Sequence, residues 1–396
     1  MFAHVQPYAG DPILGLMETF AKDANPKKVN LGVGIYYDED GRIPVLHSVR
    51  QAAASVTANG APATYLPIEG DATYRSQVAS LLFGEASPSV FQSLATVQTI
   101  GGSGALKVGA DFLKVHFPES VVYVSNPTWD NHFGIFEGAG FSVAAYRYYD
   151  PATKGLDFDG LLLDLEQTKA KDIVLLHACC HNPTGVDPSR AQWTTILDLI
   201  EKRGLIPFVD AAYQGFGDGL NEDAFVIREL ARRGLNFLVS NSFSKNFSLY
   251  GERCGTLLVH CAVETERDNV LGRVKLAVRR NYSSPPTHGM RLVSTVLGDA
   301  SLRAEWTSEL EAIRSRIVQM RQRLHVSLTE ALPSRNFDYI VEQKGMFAYT
   351  GLSEKQVFAL RADYGIYAVS SGRICIAGLN AGNVEYVARG LVELMR

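Results

Sequence analysis

Cysteine is scarce, five in 396 residues, an odd number without framework spacing. That argues against a disulfide scaffold and fits a reducing compartment. No apolar run approaches the ~20 residues that cross a bilayer. The start, Met1-Phe2-Ala3-His4-Val5-Gln6-Pro7, lacks a basic patch followed by an apolar stretch. A cytoplasmic protein with no membrane partner is therefore expected. Basic excess is missing too: 38 Lys and Arg against 42 Asp and Glu leave a net charge of -4. With no block of like charge and no basic stripe, nucleic acid is not the expected partner. Repeats, low-complexity stretches and flexible linkers are also lacking. What is present is an ordinary globular composition, 46% hydrophobic and 20% charged, in a chain too long for one simple core.

Between about residues 95 and 260, short β-branched apolar runs alternate with helical patterns, the signature of parallel strands joined by crossover helices. Strands are predicted over Ala95–Ile100, Val121–Ser125, Ser142–Tyr146, Ile173–His177, Ile206–Val209, Phe237–Ser240 and Gly255–His260. Helices such as Ala105–His116 and Ala191–Arg203 fall between most of them, giving an α/β sheet covered on both faces. Further on, Leu302, Trp306, Leu310, Ile313, Ile317, Met320, Leu324 and Leu328 recur at steps of three and four. They predict one long helix over Ser301–Leu332, stopped by Pro333. The tail predicts strands near Phe337–Val341 and Ile374–Ala377 and helices over Ser353–Asp363 and Asn380–Met395, enough for a smaller second domain.

His177-Ala178-Cys179-Cys180-His181 invites a metal reading. Adjacent cysteines on an extended segment point to opposite sides, however, and no second Cys/His pair completes a tetrahedral set. Buried thiols at a strand end, without metal, are the expectation.

Ligands of open parallel sheets bind beyond the carboxyl ends of the strands, so polar residues there carry the most information. The first strand runs into Gly101-Gly102-Ser103-Gly104 and a helix, offering free N–H groups and a positive helix end to a single phosphate. Lys107 occupies the third position of a dinucleotide glycine fingerprint and no GxxxxGK[ST] loop exists, so a nucleotide is disfavoured. By itself such a loop is a tight turn. Asp210, directly after Ile206–Val209, either caps the next helix or keeps an aromatic nitrogen protonated. Lys245 ends the next strand in Ser242-Phe243-Ser244-Lys245. A lysine amine is ordinarily protonated at neutral pH and turns nucleophilic only when its neighbours alter that or hold it in an imine. Arg253, eight residues on, is placed to neutralise a phosphate.

Taken together, Asn182-Pro183-Thr184-Gly185, Asp210-Ala211-Ala212-Tyr213, Ser242-Phe243-Ser244-Lys245 and Ser371-Gly372-Arg373 resemble the class I, fold-type I, pyridoxal-phosphate aminotransferases. The likeness runs from Tyr8-Ala9-Gly10-Asp11-Pro12 to the C-terminal helix. Tyr65-Leu66-Pro67-Ile68-Glu69-Gly70, the stretch Val278 to Pro286 and Gly345-Met346-Phe347-Ala348-Tyr349-Thr350-Gly351 resemble the bacterial aromatic-amino-acid (tyrosine) subgroup, relatives of the aspartate aminotransferases. The implied fold is α/β, a mostly parallel seven-stranded sheet in a large domain beside a smaller α+β domain. Implied boundaries are an N-terminal arm at 1–10, a small domain of 11–43 with 313–396, and a large cofactor domain at 44–312.

Position by position, the resemblance implies that Lys245 binds pyridoxal phosphate covalently and acts catalytically with Asp210 and Tyr213. Asp210 pairs with the pyridine nitrogen, backed by His132, while Tyr213 and Asn182 meet the ring hydroxyl. Gly102, Ser103, Ser242 and Arg253 hold the phosphate, and Tyr65 reaches it from the other subunit of a homodimer with shared active sites. Trp129 lies over the ring; its alternative is a core aromatic, for which a Trp flanked by Thr and Asp is poorly placed. Arg373 clamps the substrate α-carboxylate, a planar bidentate task suited to arginine. Gly34, otherwise an ordinary tight turn, contacts substrate, as do Tyr65, Trp129 and Asn182. Arg279, from the neighbouring subunit, meets a side-chain carboxylate.

The implied partners are amino acids and 2-oxo acids, and the implied reaction is ping-pong transfer from tyrosine or phenylalanine, and also aspartate, to 2-oxoglutarate. An aspartate aminotransferase with secondary aromatic activity is the nearest alternative. A lyase or decarboxylase on the same fold would release something other than a 2-oxo acid. A pyridoxal-phosphate-sensing regulator would need an added DNA-binding segment.

Overall fold

The computed structural model describes residues 1–2, 4–6, 12–60, 62–84 and 88–396. The expected arm at 1–10 lies partly outside the described residues, and the Tyr8-Ala9-Gly10-Asp11 part of the resemblance lies wholly outside them. The chain divides into two compact units, residues 44–315 and residues 1–43 with 316–396.

The larger unit is organised by seven strands: β1 (Leu94–Ile100), β2 (Val122–Asn126), β3 (Val143–Arg147), β4 (Ile173–His177), β5 (Ile206–Ala211), β6 (Phe237–Ser242) and β7 (Cys254–His260). They lie in the order β1-β7-β6-β5-β4-β2-β3. β7 runs antiparallel to both its neighbours, and the other pairs are parallel. Every residue of β4, β6 and β7 is buried. That is why these strands read as continuous apolar or small-residue runs rather than alternating ones.

Helix Gly101–His116 packs on the sheet through Leu106 and Leu113, which share a core with Val124, Phe136, Phe208, Leu238 and Leu257. Its close approach requires Gly109, where an added Cβ would stand 2.5 Å from Phe208 Cζ. The 32-residue helix Ala300–Ala331 begins in this unit and ends in the other. At its start Trp306 is fully buried, donates from Nε1 to Asn246 O at 2.8 Å and stacks on Phe247 at 4.5 Å.

In the smaller unit, Val29–Asn30 pairs parallel with Ile366–Tyr367 and Phe347–Tyr349 pairs antiparallel with Arg373–Cys375. Helices Glu354–Tyr364 and Val384–Met395 complete it. Ser353 closes a capping box with Gln356, and Gly365 ends the first helix at φ +64°. The strand expected over Phe337–Val341 is instead a helical turn, Tyr339–Glu342. Asn336 Oδ1 accepts from Asp338 N, and the Ile340 and Val341 amides fold back on Phe337 and Asp338. Phe337, Tyr339 and Ile340 are all buried, so the segment is a packed turn.

The two cysteines also depart from expectation. Cys180 has φ +51°, so the segment is not extended there, and both thiols sit within 4.8 Å of each other and of an Asp223 oxygen. Asp223 accepts from the amides of Gly215, Gly217 and Asp218 at 2.8, 2.9 and 2.8 Å, a loop-closing role.

Candidate active site

The sheet order delivers several polar segments to one edge of the larger unit. β1, β2, β4, β5 and β6 end there, and antiparallel β7 begins there, with Cys254 opposite Ile100 and Gly255 opposite Ser242. Arg253 is thereby set beside the start of helix Gly101–His116, which no side chain caps. Its first amides are open to an anion. Gly101 has φ +65°, and a Cβ there would stand 2.8 Å from Arg253 Nη2. A Cβ on Gly102 would meet Ser242 Cβ at 3.2 Å, so glycine eases the close approach of these three segments. Ser242 Oγ donates to Ser244 Oγ at 3.1 Å, and Ser240 Oγ donates to Gly102 O at 3.1 Å. Arg253 Nη1 is oriented by Tyr250 O at 2.9 Å.

Asp210 stands at the end of β5, opposite His177 of β4 in register. Its Oδ2 lies 3.3 Å from His132 Nε2, and His132 Nδ1 lies 2.8 Å from Thr128 Oγ1. Its Oδ1 is buried without a hydrogen-bond partner among the described residues. Burial pushes the carboxyl pKa up, but the hydrogen bond from His132 and the nearby basic groups outweigh it, and the net direction is downward. A buried carboxylate with one open oxygen calls for a cationic N–H donor.

Lys245 Nζ lies 4.7 Å from the centroid of the Tyr213 ring, which is itself buried. Trp129 packs edge-on to His132 with ring centroids 5.2 Å apart. Asn182 is buried in the loop after β4. An anion cradle, an orphaned carboxylate oxygen and a lysine amine over a tyrosine ring fit a phosphate ester of a protonated pyridine bearing a carbonyl, which is the chemistry of pyridoxal phosphate.

Other expected residues stand elsewhere. Tyr65 is 91% exposed, and Arg279 is exposed with its guanidinium donating to Ser283 Oγ. Neither joins the hydrogen bonds of this cluster. Gly34 and Arg373 belong to the smaller unit. There Arg373 is buried, donates from Nη2 to Gly32 O at 2.6 Å and lies 4.3 Å from the Phe347 ring centroid. A Cβ on Gly34 would stand 2.7 Å from Phe347 Cζ.

Three participants escaped the sequence reading. Ser240 was legible as the residue two before Ser242 on the same strand face. His177, weighed only as a metal ligand, packs its ring 5.3 Å from that of His132, and neither of its nitrogens has a partner among the described residues. Burial pushes its pKa down to about 3, so it is neutral at physiological pH. In the smaller unit, Phe347 was legible only as part of the Gly345–Gly351 motif, with no role of its own.

Residues 26–391 match the family described as aminotransferase class I and II. The chain is 54% identical to the aromatic-amino-acid aminotransferase of Escherichia coli over the full length of both, and 49% identical to an aspartate aminotransferase of Pseudomonas aeruginosa, again over both whole chains. Among solved structures, it superposes with a TM-score of 0.97, at 48% identity and complete coverage of both chains, on the Burkholderia pseudomallei aromatic-amino-acid aminotransferase covalently bound to pyridoxal phosphate. The fold, the polar strand ends gathered at one edge of the sheet and these full-length likenesses agree, and the chain belongs to the class I and II aminotransferases.

Proposed function

We propose that this protein is a pyridoxal-phosphate-dependent aromatic-amino-acid aminotransferase. It moves the amino group of tyrosine or phenylalanine, and also of aspartate, to 2-oxoglutarate, giving a 2-oxo acid and glutamate by ping-pong kinetics. The observation that carries the reading is the buried Asp210, ionised beside His132 and with Oδ1 open, at the same edge of the sheet as Lys245 and the Gly101–Arg253 cradle.

When bound, the cofactor supplies an electron sink for the pair left at the substrate Cα. Asp210 keeps the ring nitrogen protonated, and His132 holds the carboxylate in place. Lys245 would hold the cofactor through its amine, and that amine, once free, would take up and return the proton at the substrate Cα. Tyr213 and Asn182 meet the ring hydroxyl, and Trp129 covers the ring. Gly102, Ser103, Ser242 and Arg253 hold the phosphate, with Tyr65 completing the grip from the partner subunit of a cytoplasmic homodimer. In the division of labour proposed, residues 44–312 hold the cofactor. Residues 11–43 and 313–396 present Gly34 and Arg373 to the substrate, Arg373 as the α-carboxylate clamp. Arg279, also from the partner subunit, meets the side-chain carboxylate of dicarboxylic substrates.

The 49% identity to an aspartate aminotransferase favours one second reading, aspartate as the preferred donor. A steady-state assay of aspartate, tyrosine and phenylalanine against 2-oxoglutarate, with bound-cofactor absorbance followed, decides between them. Higher kcat/KM for the aromatic donors supports the proposal. A large excess for aspartate installs the alternative, and release of anything but a 2-oxo acid refutes both.

A further inference from the structure

In the smaller unit, Arg321 on helix Ala300–Ala331 is 2% exposed. Its guanidinium is buried among backbone carbonyls. Nη1 donates to Ile340 O at 2.8 Å, and Nη2 donates to Gly345 O at 2.8 Å and to Phe347 O. These acceptors come from both ends of one excursion, from the helical turn Tyr339–Glu342 across Gly345 (φ +75°) to the strand Phe347–Tyr349. That strand pairs with Arg373–Cys375, Tyr349 opposite Arg373 and Phe347 opposite Cys375. Phe347 is therefore held twice. Its carbonyl faces Arg321, and its ring carries the Arg373 guanidinium on one side while closing on Gly34 on another.

From this chain of contacts we infer that Arg321 is a positioning residue for substrate-carboxylate binding: it fixes Phe347, and Phe347 presets the guanidinium of Arg373. The inference rests on the proposed role of Arg373 as the α-carboxylate clamp. A bidentate arginine–carboxylate pair is sensitive to the plane of the guanidinium, and a plane set before substrate arrives need not be ordered during binding. An ammonium at position 321 retains the charge, but as a compact point donor it lacks the planar fork that spans carbonyls on separate segments. The effect falls on every substrate alike, since amino acids and 2-oxo acids share the α-carboxylate. The groups proposed to hold the cofactor belong to the other unit and are untouched.

The test uses the holoenzyme and Arg321→Lys, read in two ways. The first is steady-state kinetics with phenylalanine and 2-oxoglutarate. The second is titration with 3-phenylpropionate, a carboxylate that cannot transaminate, followed by cofactor absorbance. Expected are an unchanged spectrum of the free holoenzyme, KM raised about tenfold for donor and acceptor alike, 3-phenylpropionate binding weakened to a similar degree, and kcat within about threefold of wild type. Phe347→Leu, which keeps Arg321 and removes the ring beneath Arg373, should show the same pattern, and it decides the question if Arg321→Lys does not fold. Unchanged KM and unchanged 3-phenylpropionate affinity in a folded variant overturn the inference, as does wild-type enzyme that fails to bind 3-phenylpropionate. Wild-type binding without turnover refutes the aminotransferase reading alone, and the comparison of affinities still judges Arg321.

Discussion

His132 Nε2 lies 3.3 Å from Asp210 Oδ2, and the other oxygen of that carboxylate is buried with no donor among the described residues. One oxygen is thus anchored and the other is available, which orients the negative charge at no further cost when a protonated ring nitrogen arrives. Asp210→Asn keeps the shape and removes the charge. Its kcat should fall roughly 10²–10⁴-fold, the range for losing a positioned proton-handling group. Turnover within a factor of three of wild type would show that the carboxylate charge is not used.

Lys245→Ala should still bind pyridoxal phosphate through the phosphate cradle but lose most turnover, because it removes the amine that lies over the Tyr213 ring. The cofactor spectrum and a single-turnover assay read the two effects separately. Near-wild-type rates would remove Lys245 from the chemistry.

Accepting both a carboxylate and an aromatic ring in one pocket is a problem of desolvation, since an unpaired buried guanidinium costs several kcal/mol. Arg279 is exposed and bonded to Ser283 in the isolated chain, so an outward position is accessible to it. Arg279→Leu should lower kcat/KM for aspartate by roughly 10²-fold or more while retaining phenylalanine activity, by the magnitude of a broken buried pair. Equal losses on both substrates would contradict the switch.

His177 is buried and its folded pKa of about 3 lies below the ordinary value of 6.5. Between those values the unfolded chain takes up a proton that the folded one refuses, so stability falls as pH drops through that window and is unaffected above it. His177→Leu should flatten the stability profile between pH 6.5 and 4 by up to ~1.4 kcal/mol per pH unit. Urea unfolding at several pH values checks this, and an unchanged slope would place the acid sensitivity elsewhere.

Trp306 is fully buried, stacked on Phe247 and bonded to Asn246 O, one residue beyond Lys245. Trp306→Ala should destabilise the protein by about 3–5 kcal/mol. Loss below ~1 kcal/mol in thermal or denaturant unfolding would mean that the site collapses around the deletion.

Much of this architecture was legible residue by residue. Ile173–His177 was bounded as observed, and the long helix was placed to within one residue at each end, because a run of buried positions at period 3.6 has no competing arrangement. Phe337–Val341 misled because five residues are too few to separate a buried turn from a strand. The adjacent cysteines misled because a single residue at φ +51° undoes the alternation that an extended chain would impose.

Sequence alone determined which residue types stand at each strand end: an aspartate at the end of β5, a lysine after β6, glycines after β1 and an arginine before β7. Those positions follow from local chain direction and pattern. Tertiary structure decided which of these ends are neighbours, through an order, β1-β7-β6-β5-β4-β2-β3, that does not follow the chain. It also decided that Asp210 keeps one oxygen open, that His177 is neutral and that Phe347 lies between Gly34 and Arg373. These are consequences of long-range packing and desolvation, which no local spacing encodes.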